Sequence, residues 1–407
     1  MTRVALIICL FLTSLGADPL AGGADSGVIY GTVVTNDGRT FTGELRWDHN
    51  ENYWDDYLDA TKEEAVVVHE DEEENSFSFL GLRLPSWGDD EHHILHSFSI
   101  PFGHLASIEK EEEGWAVITL KGTGTFRVRT TGDLGSHMRG IEVMASDREP
   151  VSLQWKDLQK VAFVQAPATP DTTASQRLYG TVETRSGSFT GFVVWDRDEA
   201  LLVDTVDGEN SGKDHEIPFA RIRFIARDGY RSSILGLQDG SEIKLSGTND
   251  VNDDNRGILI AVAGLGNVTV AWDEFIRYDL APAPASTPYS AFDGGYRLHG
   301  RMTAADGTIH EGAITWDKDE QFSWETLDGS AKDIDYAIPF ANIASIENSS
   351  SRGAVIHLLD GTTLELRDSN DVNEENQGIA VEDRDGRRTE FDWDAFQAIE
   401  LRRPADE

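Results

Sequence analysis

A hydrophobic signature that recurs six times constrains the fold of this chain more than any other feature. Each instance is an aromatic residue followed by apolar residues three and six positions later. The aromatic residues fall into three pairs, and the two members of each pair are 53 residues apart. A fixed spacing of this kind predicts internal repeats, here three copies that each contain two related halves. The paired aromatic residues are Phe102 with Trp155, Phe219 with Trp272 and Phe340 with Trp393.

Each copy begins with a predicted β-hairpin. Apolar and polar residues alternate on both sides of a glycine-containing turn, a pattern typical of strands that bury one face. Because no long segment shows a helical period, the sequence predicts an all-β chain. The turn glycines are Gly38, Gly187 and Gly307, and the hairpins end at the pairs Trp47-Asp48, Trp195-Asp196 and Trp316-Asp317.

The spacing of three in the recurring signature predicts a single turn of 3₁₀ helix that leads into a strand. Pro101, Pro218 and Pro339 precede the first aromatic residue of each copy. Proline is well suited to the entry of such a turn because its φ angle is already fixed.

A hairpin with a glycine-rich turn, further short strands, a 3₁₀ turn and a closing strand occupy about 50 residues of each half-copy. This combination resembles the small β-barrels of the Sm-like and SH3-like type. The resemblance covers the fold alone and implies two small barrels per copy, because the RNA-binding residues of the Sm family have no counterpart in this chain. A six-bladed β-propeller and three β-sandwiches are the alternative architectures. The Trp-Asp pairs recur after 148 and 121 residues, which excludes the WD40 repeat of about 40 to 45 residues.

Two segments rich in proline, alanine and threonine separate the copies and predict extended, solvated linkers. Linkers of this kind would tether the copies like beads on a string, which disfavours a closed propeller. The predicted organisation is a signal peptide at 1–17, copy 1 at 28–165, a linker at 166–177, copy 2 at 178–280, a linker at 281–295 and copy 3 at 296–402.

The N-terminal segment has the features of a secretory signal peptide. Arg3 precedes an apolar run, and a short stretch of small and polar residues follows it up to Ala17. No later stretch approaches the roughly 20 apolar residues of a membrane-spanning helix. The only cysteine, Cys9, lies within the signal segment, so the mature chain has no disulfide. These features predict a bacterial protein that is secreted or periplasmic.

The charge of the chain is strongly negative. Asp and Glu total 73 against 35 Lys and Arg, which gives a net charge of −38. Such a chain repels phosphate backbones, so we expect no nucleic-acid partner. Carboxylates in this number serve cation binding or solubility, and composition alone does not separate the two.

A loop in the second half of copies 2 and 3 is dense in carboxylates and amides, the hard oxygen ligands that Ca²⁺ requires. Asn and Asp side chains also bond their own backbone in turns, which is the alternative explanation. The matching loop of copy 1 keeps Asp133, Gly140 and Ile141 but loses most of the other oxygens. The candidate calcium ligands are Asn249, Asp250, Asn252, Asp253 and Asn255 in copy 2 and Asn370, Asp371, Asn373, Glu374 and Asn376 in copy 3.

A second acidic segment follows each hairpin of copies 2 and 3. Paired carboxylates can hydrolyse a glycan or complete a cation site, but 73 acidic residues also form neighbouring pairs by chance. These residues are Asp196, Asp198, Glu199, Asp204 and Asp207 in copy 2 and Asp317, Asp319, Glu320, Glu325 and Asp328 in copy 3.

Copy 1 carries an insertion of about 31 residues between Asp59 and Ile100. It contains an acidic run at 70–74, Trp87 and the histidines His92, His93 and His96. Histidines beside acids can bind a transition metal, although charge runs are most often solvated loops.

The mature chain contains no nucleophile elbow, no H-E-x-x-H motif, no P-loop and no cysteine nucleophile. We therefore expect a non-enzymatic interaction or scaffold module with a protein or glycan partner in the cell envelope. Stabilisation by Ca²⁺ is part of this hypothesis. The alternative hypotheses are a glycan-binding or glycan-active envelope protein and a structural envelope component that self-associates.

Overall fold

The computed structural model describes residues 27–48, 50–65, 76–79, 82–85, 93–111, 114–122, 124–145, 149–167 and 176–403. The chain is all-β, as the sequence predicts, and every strand pairing in the described part is antiparallel. The described helices are three-residue 3₁₀ turns, so none of them is long and apolar enough to cross a lipid bilayer.

The strands fall within the copy boundaries that the sequence predicts. Copy 1 contains β1 (Tyr30–Thr35), β2 (Thr40–Trp47), β3 (Tyr57–Ala65), β4 (Ser76–Phe79), β5 (Leu82–Pro85), β6 (His93–Pro101), β7 (Leu105–Lys110), β8 (Trp115–Leu120), β9 (Thr125–Arg129), β10 (Ile141–Met144), β11 (Val151–Leu153) and β12 (Leu158–Phe163). Copy 2 contains β13 (Tyr179–Thr184), β14 (Gly187–Val194), β15 (Thr205–Asn210), β16 (Lys213–Pro218), β17 (Ile222–Arg227), β18 (Ser232–Leu237), β19 (Glu242–Ser246), β20 (Ile258–Val262), β21 (Gly266–Val270) and β22 (Phe275–Leu280). Copy 3 contains β23 (His299–Ala304), β24 (Ile309–Thr315), β25 (Thr326–Ala331), β26 (Ile334–Pro339), β27 (Ile343–Ser350), β28 (Gly353–Leu358), β29 (Thr363–Arg367), β30 (Ile379–Glu382), β31 (Arg388–Phe391) and β32 (Phe396–Arg402).

One pairing order occurs in three stretches of the chain. Ten strands of copy 1 pair in the order β11-β10-β2-β1-β12-β7-β8-β9-β3-β6, while β4 and β5 pair with each other. The corresponding strands of copy 2 pair as β21-β20-β14-β13-β22-β17-β18-β19-β15-β16. Those of copy 3 pair as β31-β30-β24-β23-β32-β27-β28-β29-β25-β26.

The predicted division of each copy into two closed small barrels is wrong. No sheet in the described part closes into a barrel, and the pairing runs across both halves of a copy. The opening hairpin β1-β2 has two free edges, and strands of the second half, β12 and β10, pair with them. The halves therefore complete each other's hydrogen bonding and do not close separately. A continuous ten-strand order also differs from the four-stranded blades of a propeller.

The predicted turns are confirmed at five of the six signatures. These 3₁₀ turns are Phe102–His104, Trp155–Asp157, Phe219–Arg221, Phe340–Asn342 and Trp393–Ala395, and each leads directly into a strand. At Trp272 the chain makes a hydrogen-bonded turn before β22. The aromatic residue of each signature is buried, because the short turn places it under the sheet. Three further 3₁₀ turns are Asn249–Val251, Tyr289–Ala291 and Asn370–Val372.

Copies 2 and 3 share one sheet and one core, which contradicts the expectation of loosely tethered copies. Strand β21 of copy 2 pairs with β26 of copy 3, where Val268 lies opposite Tyr336 and Val270 opposite Ile334. The pairing joins their strands into one 20-stranded sheet with a continuous cluster of buried apolar residues.

A carboxylate that lies eight residues after the aspartate of each Trp-Asp pair organises the chain after the hairpin. These residues are Asp56, Asp204 and Glu325, which we call the capping carboxylates. One oxygen of each accepts hydrogen bonds from two consecutive backbone N–H groups of the preceding turn. The other oxygen is left to face outward from that turn.

The outward oxygen of each capping carboxylate meets a cation from a different copy or its leading segment. Arg177, just before copy 2, donates to the capping carboxylate of copy 1 at 2.9 Å. Arg46 of copy 1 lies 3.9 Å from that of copy 2. Lys62 of copy 1 donates to that of copy 3 and also to the backbone oxygen of Asp319 at 2.6 Å. Lys62 and Arg177 are buried, so these contacts lie inside the assembly.

The second linker is docked on copy 1 and is not a free tether. The ammonium group of Lys121 donates to the backbone oxygens of Tyr289 and Phe292. The hydroxyl of Tyr289 donates to the backbone oxygen of Leu105 at 2.6 Å, and its ring lies 4.2 Å from that of Trp54. Two aromatic residues give this Pro/Ala-rich segment enough apolar surface to bind copy 1.

Replacing Lys62 with methionine should destabilise the protein strongly. The change leaves the carboxylate of Glu325 buried without its cation, and we expect the free energy of unfolding to fall by about 3 to 5 kcal/mol. Lys160 is the control, because its pair with Glu109 is exposed to solvent, and Lys160→Met should change stability by less than about 1 kcal/mol. Urea denaturation followed by tryptophan fluorescence measures both. Equal effects of the two substitutions would contradict the assigned role of Lys62.

Replacing Gly103 with alanine should release the second linker. A Cβ atom at Gly103 would lie 2.2 Å from the ring of Phe292, so the ring has to move away. We expect faster proteolytic cleavage within 281–295, and Phe292→Ala should have the same effect. Mass spectrometry of limited digests measures the cleavage. A wild-type chain that is cut there as fast as the variants would show that the linker is not docked.

Candidate functional site

The end of each opening hairpin is joined to the acid-rich loop of the second half by one hydrogen bond. The buried indole N–H of the Trp-Asp pair donates to the backbone oxygen of an aspartate in that loop, at 2.8 to 3.0 Å. The two acidic segments that the sequence shows far apart therefore meet at one corner of each copy. The contact joins Trp47 to Asp133, Trp195 to Asp250 and Trp316 to Asp371.

The aspartate of the Trp-Asp pair fastens the loop a second time. Asp196 is fully buried with a φ of 51°, a left-handed conformation that aspartate tolerates. Its carboxylate accepts hydrogen bonds from the side chain of Asn249 and from the backbone N–H of Arg256. Asp317 of copy 3 makes the same contacts with Asn370 and with the backbone N–H of Gln377.

Most of the candidate calcium ligands are engaged in turn geometry. Oδ1 of Asn252 accepts from the backbone N–H of Asp254, and Oδ1 of Asn255 from that of Gly257. Asn373 and Asn376 make the corresponding contacts in copy 3. The side chains of Asp253 and Glu374 lie at exposed positions of the same loops. The loop therefore does not gather its oxygens around one point.

The loop aspartates Asp250 and Asp371 lie at the corner, where each carboxylate accepts from a backbone N–H of the strand beyond the hairpin. The donors are Asp207 at 2.7 Å and Asp328 at 2.6 Å. Asp133 of copy 1 accepts from the backbone N–H of Asp59 in the same way. This aspartate is present in all three copies because it holds two strands together.

A glutamate three residues after the Trp-Asp aspartate completes an acidic group in each copy. We call these groups the corner clusters: cluster 1 is Asp48, Glu51 and Asp133, cluster 2 is Asp196, Glu199 and Asp250, and cluster 3 is Asp317, Asp319, Glu320 and Asp371. In cluster 2, one carboxylate oxygen from each residue lies within 4.8 Å of the others, and Asp317, Asp319 and Glu320 of cluster 3 meet the same limit.

Each of these glutamates has one oxygen without a partner. Oε2 of Glu51, Glu199 and Glu320 is buried and accepts no hydrogen bond from any described residue. Burial raises the pKa of Glu51 to about 10 and that of Glu199 to about 9, and the neighbouring carboxylates raise both further. Burial also raises the pKa of Glu320 well above its ordinary value. A buried carboxyl group of this kind either holds a proton or needs a cation.

The clusters differ in how their negative charge is balanced. In cluster 2, the guanidinium group of Arg256 lies 2.7 Å from Asp196 and 3.5 Å from Asp198. Arg139 occupies the matching position in copy 1, with Nε 3.7 Å from Asp48. Copy 3 has the neutral Gln377 at this position. The positive charges near cluster 3 are instead those of Lys62 and Lys318.

The sequence indicated both acidic segments, but as separate sites. The available signal was the pattern Trp-Asp-x-x-Glu, which all three copies contain and which marks the glutamate as part of the hairpin end. The metal site hypothesised for the insertion of copy 1 stays a prediction, because the acidic run at 70–74, Trp87 and His92 lie outside the described residues.

No protein-family model matches the chain, and no curated protein sequence is significantly similar to it.

The corner glutamates predict that stability falls as the pH rises. Without metal ions, the carboxyl groups of Glu51 and Glu199 keep protons in the folded state that the unfolded chain releases above about pH 4.5. Their stabilising effect is complete below that pH and is lost as the pH approaches the folded pKa. We expect the free energy of unfolding in chelator to fall between pH 7 and pH 9, by about 1.4 kcal/mol per pH unit for each proton.

Replacing Glu199 with glutamine tests this origin of the pH dependence. Glutamine is neutral at every pH and similar in shape, so Glu199→Gln should reduce the slope of stability against pH. The same change at the exposed Glu149 should leave the slope unaltered. Thermal unfolding followed by circular dichroism measures the slopes, and a wild-type midpoint that rises between pH 7 and pH 9 would refute the protonation of these glutamates.

Proposed function

We propose that this protein is a non-enzymatic scaffold of the bacterial cell envelope, built from three copies of one β-module and exported by its N-terminal signal segment. It presents the combined surface of the three copies to a protein or glycan partner, and bound Ca²⁺ contributes to its stability. The observation that carries the proposal is the set of buried contacts between copies, above all those of Lys62 and Arg177. Flexible arrays have little use for buried ion pairs, whereas a scaffold needs its surfaces held in fixed relation.

The arrangement of the acidic residues favours binding over catalysis. A hydrolytic pair of carboxylates has to face a cleft that admits a substrate. Here Asp196 and Asp250 are buried and accept hydrogen bonds from the backbone, so they hold loops and strands in place. The carboxylates of the corners therefore support a structural role, and a net charge of −38 favours a partner with basic groups or one bridged by cations.

The proposal predicts that binding depends on the contacts between copies. The purified chain should bind saturably to the cell-envelope fraction of the organism that encodes it. The double variant Lys62→Met, Gly103→Ala, which detaches copy 1 and the second linker, should bind at least about tenfold more weakly, because simultaneous engagement of several surfaces is lost. Lys160→Met is the matched control and should bind like the wild type. Sedimentation binding assays measure the affinities.

Two results would contradict the scaffold. One is equal binding by the double variant and the wild type, with circular dichroism showing that both are folded. The other is turnover of a glycan or peptide substrate by the wild type that the Glu199→Gln variant loses, which would identify an enzyme.

A further inference from the structure

Cluster 3 has the dimensions of a calcium site. Oxygens of Asp317, Asp319 and Glu320 lie within 4.8 Å of one another. Two oxygens that bind the same Ca²⁺ ion at about 2.4 Å are separated by at most about 4.8 Å. One ion can therefore contact all three carboxylates, and oxygen is the ligand that Ca²⁺ prefers.

An independent observation indicates that a ligand is missing from this cluster. Oε2 of Glu320 is buried and has no hydrogen-bond partner in the described part of the chain. Buried polar atoms in folded proteins nearly always have a partner. The same oxygen is unpartnered in Glu51 and Glu199, so the feature belongs to the corner and not to one side chain's rotamer. In cluster 3 it lies among carboxylates, which accept hydrogen bonds and cannot donate them when ionised.

The charges around Glu320 leave an excess that a divalent cation can neutralise. The acidic neighbours outnumber the basic ones, and the ammonium group of Lys62 is already bound to Glu325 and to the backbone oxygen of Asp319. The acidic neighbours are Asp317, Asp319, Glu325 and Asp371, and the basic ones are Lys62 and Lys318.

The residue at the position of Gln377 distinguishes the three clusters. Arg256 places its guanidinium group on Asp196 in cluster 2, and Arg139 lies near Asp48 in cluster 1. Gln377 brings no charge to cluster 3, although its backbone N–H keeps the contact with Asp317. The arginines thus partly replace an ion in copies 1 and 2.

We infer that cluster 3 binds one Ca²⁺ ion through Asp317, Asp319 and Glu320, and that clusters 1 and 2 bind the ion more weakly because an arginine competes with it. The sequence had placed calcium in the neighbouring loop, of which only Asp371 belongs to the cluster. The inference specifies the calcium clause of the proposed function, and it holds for a chain that has no envelope partner as well.

Terbium luminescence and calorimetry test the site on the purified full chain. Tb³⁺ has the ligand preferences of Ca²⁺ and emits when a nearby tryptophan is excited, and Trp316 directly precedes Asp317. We expect one strongest site per chain in titrations with CaCl₂, displacement of Tb³⁺ by Ca²⁺, a higher unfolding temperature with Ca²⁺, and weaker binding of Mg²⁺. The Glu320→Gln variant should lose the strongest site.

Substitutions at the distinguishing position provide the sharpest comparison. Gln377→Arg should weaken the strongest site at least about tenfold, because it introduces a guanidinium group beside the ion. Gln377→Ala is the matched control and should retain the site. Arg256→Gln should strengthen binding at cluster 2 and raise the number of ions bound per chain.

The outcomes that overturn the inference are distinct. Absence of both binding heat and sensitised luminescence in the folded wild type excludes the site. Unchanged affinity in Gln377→Arg places the bound ion elsewhere, and this variant decides the question even if Glu320→Gln does not fold, because Gln377 is exposed. A chain that binds Ca²⁺ but not the envelope fraction retains this inference and loses the scaffold.

Discussion

The hydrogen bond from a buried indole to an aspartate backbone oxygen is the contact on which each copy depends. It fixes the end of the opening hairpin against a loop about 55 residues or more further along the chain. Once Trp316 holds Asp371 in place, the side chain of Asp317 reaches the same loop and the carboxylate of Asp371 reaches the strand beyond the hairpin. Without that bond the indole N–H would be buried with no partner, at a cost of about 1 to 3 kcal/mol.

Acidic residues at three positions of this corner have three different tasks. The aspartate of the Trp-Asp pair fastens a loop, the glutamate three residues later carries the unpartnered oxygen, and the capping carboxylate five residues beyond it ends a turn and contacts another copy. Part of the large negative charge is therefore structural. Because these groups are buried close together, protons, arginines or metal ions have to balance them, and the copies use different solutions.

The sequence predicted the local elements well and the long-range ones poorly. Hairpins and 3₁₀ turns follow from periodicity within about ten residues, which a single sequence displays directly. Strand closure and the docking of copies depend on contacts such as Lys62 with Glu325, 263 residues apart, which no local pattern announces. Tyr289 and Phe292 were a visible exception, since two aromatic residues in a Pro/Ala-rich linker indicate a bound segment. The acidic loops were recognised, but their joining to Glu199 and Glu320 required the fold.

The pairing of β21 with β26 determines where the sheet stops growing. The accepting strand β26 offers Ile334 and Tyr336 to its neighbour, whereas its counterpart β16 has Lys213 and His215 at those positions and pairs only with β15 in the described part of the chain. Polar side chains on an open edge discourage another strand from adding. Two substitutions thus separate an edge that recruits a neighbouring copy from one that ends the array, which limits polymerisation of a chain built from duplicated modules.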